Sequence, residues 1–362
     1  PLELIDTYGT DAMRLALCSS VTHARQIDLD LRRFEEYKNF ANKVWNGARF
    51  VLMNLEGFQF DEGLESKLLT LEDKWILSLL TRTTEEINQC LQEYTFDRAA
   101  TRAYEFYWND FCANYVELTK PFLFGKAGTP AIRANKQKLL VILLCNAIRL
   151  MHPISPFITE EIFAELKELI GHTNVKKADA YTQETLEALR SPACIVAPYP
   201  RPIGTVQEKV EELFAQVNDI VRQVRNIRAE MQLAPSEKTE LYVVGHPKDW
   251  KMIQENEMIV TSLTQTTQVT YSESEPTSFG ASAHVHSLKL MIPIPESLKV
   301  REKVRLEKER EKLEKGLEGT KMKLSNEEFR SKAPAHVVEK LQEALKTAEK
   351  QLADIQEKLA QL

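Results

Sequence analysis

Between Val338 and Leu362 the side chains Val338, Leu341, Leu345, Ala348, Leu352, Ile355, Leu359 and Leu362 recur at alternating +3 and +4 steps without a break. This is an a/d heptad seam, a narrow apolar stripe that has to close on another helix. Upstream, Leu306, Leu313, Leu317 and Leu324 follow a looser heptad, with Arg310 and Thr320 at seam positions. Pro334 and the polar segment 325–333 separate the two runs, because proline removes a backbone donor and clashes with the preceding turn. The spacing predicts an antiparallel helical hairpin over 299–362. A single helix that closes its seam on a second copy of the chain is the alternative.

The rest of the chain also reads mainly as helix. Phe34, Tyr37, Ala41, Val44, Ala48, Val51 and Leu55 mark one helix over 34–55. Further helices are expected over about 71–93 (Leu71, Trp75, Leu79, Ile87, Leu91), about 96–119 with Pro121 as its stop, about 131–151, and from Ser155-Pro156 onward. Thr10 or Asp11 is suited to cap a helix carrying Met13, Leu15, Ala16 and Leu17. Near residue 190 the pattern changes. Ala193–Ala197 reads as a short strand, 206–231 as helix, and Glu240–Val244, Gln268–Tyr271 and Val285–Ile292 as strands, with 272–283 a loop. The expected fold is mainly α: a connector over 1–33, a helical bundle over 34–190, a small α+β subdomain over 191–298 and a coiled-coil arm over 299–362.

At 362 residues the chain is too long for one ordinary core. No apolar run approaches the roughly 20 residues that span a bilayer; the longest, Leu139–Leu144, is a buried turn or two. The five cysteines are scattered singly, which fits reduced thiols in a cytoplasm and excludes a paired-cysteine zinc site. Net charge is −6, yet residues 299–362 hold 16 Lys and Arg against 13 Asp and Glu. A basic tail on an acidic body keeps nucleic acid open as a partner.

Family resemblance sharpens this. Asp6-Thr7-Tyr8-Gly9-Thr10-Asp11-Ala12-Met13-Arg14 resembles the segment just after the lysine-rich ATP loop of class I aminoacyl-tRNA synthetases. Tyr37–Asn46 (YKNFANKVWN), Phe106–Cys112 (FYWNDFC) and His152–Glu161 (HPISPFITEE) resemble three anticodon-domain helices of the valyl, isoleucyl and leucyl enzymes. Ile227–Met231 (IRAEM) and Lys323–Phe329 (KLSNEEF), followed by Lys332-Ala333-Pro334, Val337 and Val338, single out the valyl family of bacterial type. The resemblance covers nearly the whole chain.

It implies that Pro1 continues a longer protein whose catalytic part comes first, with no signal or transit segment at this point. The partner implied is tRNA(Val), the protein a cytoplasmic monomer, and ATP with magnesium the cofactors of the full-length enzyme. No cofactor, metal or catalytic residue is expected in this chain. Lys321–Ser325 (KMKLS) only superficially matches the ATP-binding KMSKS loop, and neither an HxGH motif, a P-loop nor GxGxxG occurs. Neither valine activation nor editing is therefore expected here.

On a wheel of 100° per residue, Asn39, Lys43, Asn46 and Phe50 fall opposite the apolar stripe of the 34–55 helix, with Arg32 if the helix starts early. Unstacked bases are read by stacking on aromatic or guanidinium planes and by hydrogen bonds to exposed edges. Packing of Phe50 on a neighbouring helix is the alternative. The resemblance sets the anticodon against this helix. Trp108 and Phe111 read as core, Asp110 as a buried or capping partner, and His152 as a core histidine. Arg225 and Arg228 read as a solvated face or an interface. In the arm, the resemblance implies support of the outer corner of the tRNA by Arg301, Arg305, Lys312, Lys321 and Lys332, through contacts that give affinity rather than base readout. A free-standing coiled-coil interaction module, or an isoleucyl or leucyl relative, are the rival readings.

Overall fold

The computed structural model describes residues 1–20, 30–55, 57–234, 236–272 and 280–293, with isolated positions beyond. Most of the expected hairpin over 299–362 and of its seam lies outside the described residues, as do 273–279 of the expected loop.

The chain divides into two compact units. One is built from Pro1–Asn226, His246–Thr266 and Val285–Ser287. Its helices are α1 (Leu2–Tyr8), α2 (Thr10–Ser20), α3 (Leu31–Met53), α4 (Leu71–Gln92), α5 (Phe96–Glu105), α6 (Glu117–Leu123), α7 (Pro130–Met151), α8 (Pro156–Ile170), α9 (Ala180–Leu189), most of α10 (Glu208–Glu230), α11 (Pro247–Glu255) and α12 (Glu257–Thr264). At the centre lies α7, capped by Thr129 and started by Pro130. Leu139 to Leu144 are all fully buried, as befits a helix apolar on every side. Around it pack α3, α4, α5, α6, α8 and α9. Residues 1–20 join this unit: Ala12, Leu15 and Ala16 are buried, and α2 lies against α3, α5 and α8.

The start of α4 holds a buried charge cluster. A capping box joins Thr70 and Asp73, and Lys136 of α7 reaches Glu72 at 2.6 Å and Asp73 at 2.7 Å. Tyr115 donates to Asp73 as well. In the next turn of α4, Trp75 stacks on Phe214 of α10 with centroids 3.8 Å apart.

Three expectations change in this unit. The helix expected over 96–119 becomes α5, a π-helical segment over Phe106–Val116, and α6. The wider turn keeps residues at successive +4 steps on one face, and Tyr107, Phe111 and Tyr115 are all fully buried. Pro121 does not stop this helix. It lies inside α6, and the chain leaves the helix at Gly125, whose φ of +68° suits a residue without a side chain. Ala193–Ala197 is no strand: Cys194–Val196 form a 3₁₀ turn. Their N–H groups find a carboxylate instead of a ladder, Cys194 and Ile195 donating to Glu160 at 2.6 and 3.2 Å.

The second unit comprises Ile227–Gly245, Thr267–His284 and Leu288–Leu362. It centres on a four-stranded sheet in the order β2-β1-β4-β3, with β1 Thr239–Val244, β2 Thr266–Ser272, β3 Gly280–Val285 and β4 Leu288–Pro293. β1 and β4 are antiparallel, Val243 opposite Leu290, and Leu241, Val243, Leu288 and Leu290 are fully buried. The single strand expected over Val285–Ile292 is two. His286, at φ +51°, turns the chain between them, and 280–283 belong to β3 rather than to a loop.

Candidate nucleic-acid interface

Helix α3 carries the candidate residues, and its geometry sorts them into two groups. Its N-cap is Asp30, which accepts from the Arg32 N–H at 2.9 Å and from Arg32 Nε at 2.7 Å. That contact holds the Asp30 carboxyl below its ordinary range. The Arg32 side chain is 91% exposed, and Asn39 and Asn46 are exposed too.

Lys43 and Phe50 are half-buried and face the neighbouring helix. Lys43 Nζ sits 5.4 Å from the centroid of the Trp108 ring. Lys120 Nζ sits 5.5 Å from that of Phe50 and is paired with Glu117 at 2.6 Å. Between the two contacts α3 lies close against the π segment. Tyr107 donates to the Val44 carbonyl at 2.7 Å. A Cβ on Gly47 would stand 2.8 Å from Cys112 Sγ and 2.9 Å from the Tyr107 hydroxyl, so this position needs glycine. Burial pushes the Cys112 thiol up to about 12, which leaves it protonated and unreactive.

Sequence reasoning missed a second group on the same helix. Trp45 is 40% and Met53 65% exposed. With Ala48, Arg49, Leu52 and Glu165 they line a groove of about 360 Å³. The apolar wheel treats α3 as having one buried stripe, so a tryptophan one residue past Val44 carries no signal. Its +4 pairing with Arg49 was the available clue.

The other singled-out residues all contact neighbouring groups of the fold. Trp108 is half-buried and Phe111 fully buried. Burial raises the Asp110 carboxyl to about 7, although Arg102, 3.7 Å away, pulls it down. His152 Nδ1 lies 2.8 Å from Thr159 Oγ1, and burial lowers its basicity; it is a core histidine. Of the two α10 arginines singled out, Arg225 is exposed and Arg228 is buried. Arg225 donates to the Leu263 carbonyl at 3.0 Å, and Arg228 is bonded to Thr239 at 2.9 Å and to the Glu237 carbonyl at 2.6 Å. Arg301, Arg305, Lys312, Lys321 and Lys332 lie outside the described residues.

Among the described residues no group of three His, Cys, Asp or Glu side chains is arranged to hold a metal, and no helix is long and apolar enough to cross a membrane.

Residues 73–243 match the anticodon-binding domain of tRNA ligases, and residues 300–362 match the tRNA-binding arm of valyl-tRNA synthetases. A valine–tRNA ligase of Protochlamydia amoebophila is 52% identical over 377 aligned positions, covering 100% of this chain and 40% of that protein. Those of Chlamydia felis and Chlamydia abortus are each 42% identical, over 99% of this chain and 39% of theirs. The chain thus spans about two-fifths of the length of these relatives. With both matches in one chain and such identity along all of it, the protein belongs to the valyl-tRNA synthetase family.

Proposed function

We propose that this chain recognises tRNA(Val) for an ATP-dependent valine–tRNA ligase, binding the anticodon through the helical bundle and the outer corner through the arm. The observation that carries the reading is the coexistence of an anticodon-binding match over 73–243 and a tRNA-binding-arm match over 300–362. Residues 1–33 serve as a connector, 34–190 as the anticodon domain, 191–298 as a small α+β subdomain and 299–362 as the arm. The chain works as part of a cytoplasmic monomer. ATP, with magnesium, serves the ligation, and no residue of this chain is assigned to it.

In this reading Arg32, Asn39, Lys43, Asn46 and Phe50 form the anticodon contact. Phe50 offers a ring for stacking, the amides offer hydrogen bonds to base edges, and the cations offer charge for phosphates. Two turns of helix, about 10 Å, separate Lys43 from Phe50. The charge of Lys43 is available, since among the described residues it has no ion-pair partner.

Charging kinetics of the full-length ligase test this. Lys43→Ala and Phe50→Ala should weaken charging by about 1–3 kcal/mol per lost stacked base or contact, chiefly for the cognate anticodon. Equal losses for cognate and anticodon-swapped tRNA, together with a lowered melting temperature, would mean that Phe50 only packs.

A further inference from the structure

The contact under Lys43 is itself built. Trp108 stacks on Tyr104 with centroids 5.8 Å apart and planes at 11°. Phe40 lies 6.0 Å away on α3 and 4.4 Å from Tyr104. Tyr37 closes the cluster edge-on against Tyr104 at 6.1 Å. The indole is thereby fixed by three elements, α3, α5 and the π segment, and is still half-exposed. Its face is what the Lys43 ammonium meets. Lys120, by contrast, is tied to a carboxylate, which cancels its charge.

We infer that Trp108 is a positioning residue for Lys43: the indole face holds the ammonium in place for RNA without neutralising it. The inference rests on the reading of Lys43 as an RNA contact and names what makes that contact efficient. A free lysine stem samples many rotamers and loses them when its charge is fixed on a ligand. A carboxylate would hold it but also quench it. An aromatic face attracts the cation through its quadrupole, tryptophan most strongly, and leaves the net charge intact for a phosphate or a base acceptor.

The test is a double-mutant cycle on the KM for tRNA(Val) in the full-length ligase. Trp108→Leu should raise KM roughly two- to five-fold, the size of one cation–π contact. Trp108→Phe, which keeps a packed ring with a weaker face, should recover most of the loss. In a Lys43→Ala background Trp108→Leu should have no further effect. The inference is overturned if Trp108→Leu costs the same factor with and without Lys43, or if Trp108→Phe is as harmful as Trp108→Leu, since the ring would then act only through packing. A Lys43→Ala variant with unchanged KM would sink the underlying reading of Lys43, a different outcome from either of these.

Discussion

Asp11 caps a helix 147 residues away: its Oδ2 accepts the Ile158 N–H at 2.7 Å and its Oδ1 that of Phe157 at 3.2 Å. Ser155, the residue in the N-cap position of α8, makes no such bond. The first turn of a helix leaves four N–H groups without partners, and here a side chain from the beginning of the chain supplies two acceptors. Arg14 completes the joint by donating to the carbonyls of Pro153 and Ile154 at 3.0 and 2.8 Å. Asp11→Ala should therefore destabilise the helical unit by about 1 kcal/mol, the usual cost of losing a cap. Asp11→Asn, which keeps one acceptor, should cost less. Urea unfolding followed by circular dichroism measures both, and equal stability of Asp11→Ala and wild type would remove the cap from the account.

Lys136 makes the sharper stability prediction. Its ammonium and the carboxylates of Glu72 and Asp73 are at most 2% exposed. Thr70 accepts a further bond from it at 2.7 Å. Lys136→Met would leave two buried carboxylates without their cation, a change that costs about 3–5 kcal/mol. Combining it with Glu72→Gln and Asp73→Asn should return part of that. Denaturant midpoints of the single and triple variants decide the matter. Arg32→Ala, at an exposed site, should leave the midpoint where it is.

The long-range character of these two contacts explains how far the sequence could be read. Helices α3, α4, α7, α8 and α10 follow from periodicity and from local punctuation such as Pro130 and Pro156, so their limits could be set to within a few residues. Asp11 was legible only as a cap for its own helix, because nothing local distinguishes a carboxylate that caps α2 from one that caps α8. Lys136 stands in a helix that reads as apolar and gave no sign of its partners in α4. The 3₁₀ turn at Cys194 depends on Glu160, and the hairpin turn at His286 on a left-handed residue that is not glycine. In the candidate interface, the wheel separated Asn39 and Asn46 as exposed side chains. It could not show that Lys43 and Phe50 meet α5–α6, since that contact depends on Gly47 letting the two backbones close.

Asp110 should make stability depend on pH. Its carboxyl titrates at about 7 in the folded chain and near 3.9 when unfolded. Between these values the folded state holds a proton that the unfolded state has lost, so stability falls as pH rises. The contribution is fully present below about pH 4 and gone above about pH 7, with a slope of at most about 1.4 kcal/mol per pH unit. Asp110→Asn should flatten that part of the profile. Unfolding free energies of both proteins at pH 5 and pH 7.5 give the comparison; parallel profiles would show that Asp110 ionises at an ordinary pH.

The arm should act as a grip that is indifferent to the anticodon. Its Lys and Arg exceed its acidic residues, and 300–362 match a tRNA-binding arm. Each phosphate that a cation contacts releases condensed counterions, giving a log–log salt slope of roughly 0.7–0.9 per contact. Replacing Arg301, Arg305 and Lys312 together by alanine should thus reduce the slope of tRNA binding by up to about 2–3. The loss of affinity should be the same for cognate and anticodon-swapped tRNA, because phosphates carry no anticodon information. Leu345→Asp should produce a similar loss indirectly, by setting a charge into the seam at a heptad position. Filter binding across a salt series distinguishes the two mechanisms: the alanine variant changes the slope and spares the helical content, whereas Leu345→Asp lowers both. An unchanged slope in the alanine variant would make the basic helix a solvated flank and move the seam's role toward contact with another protein.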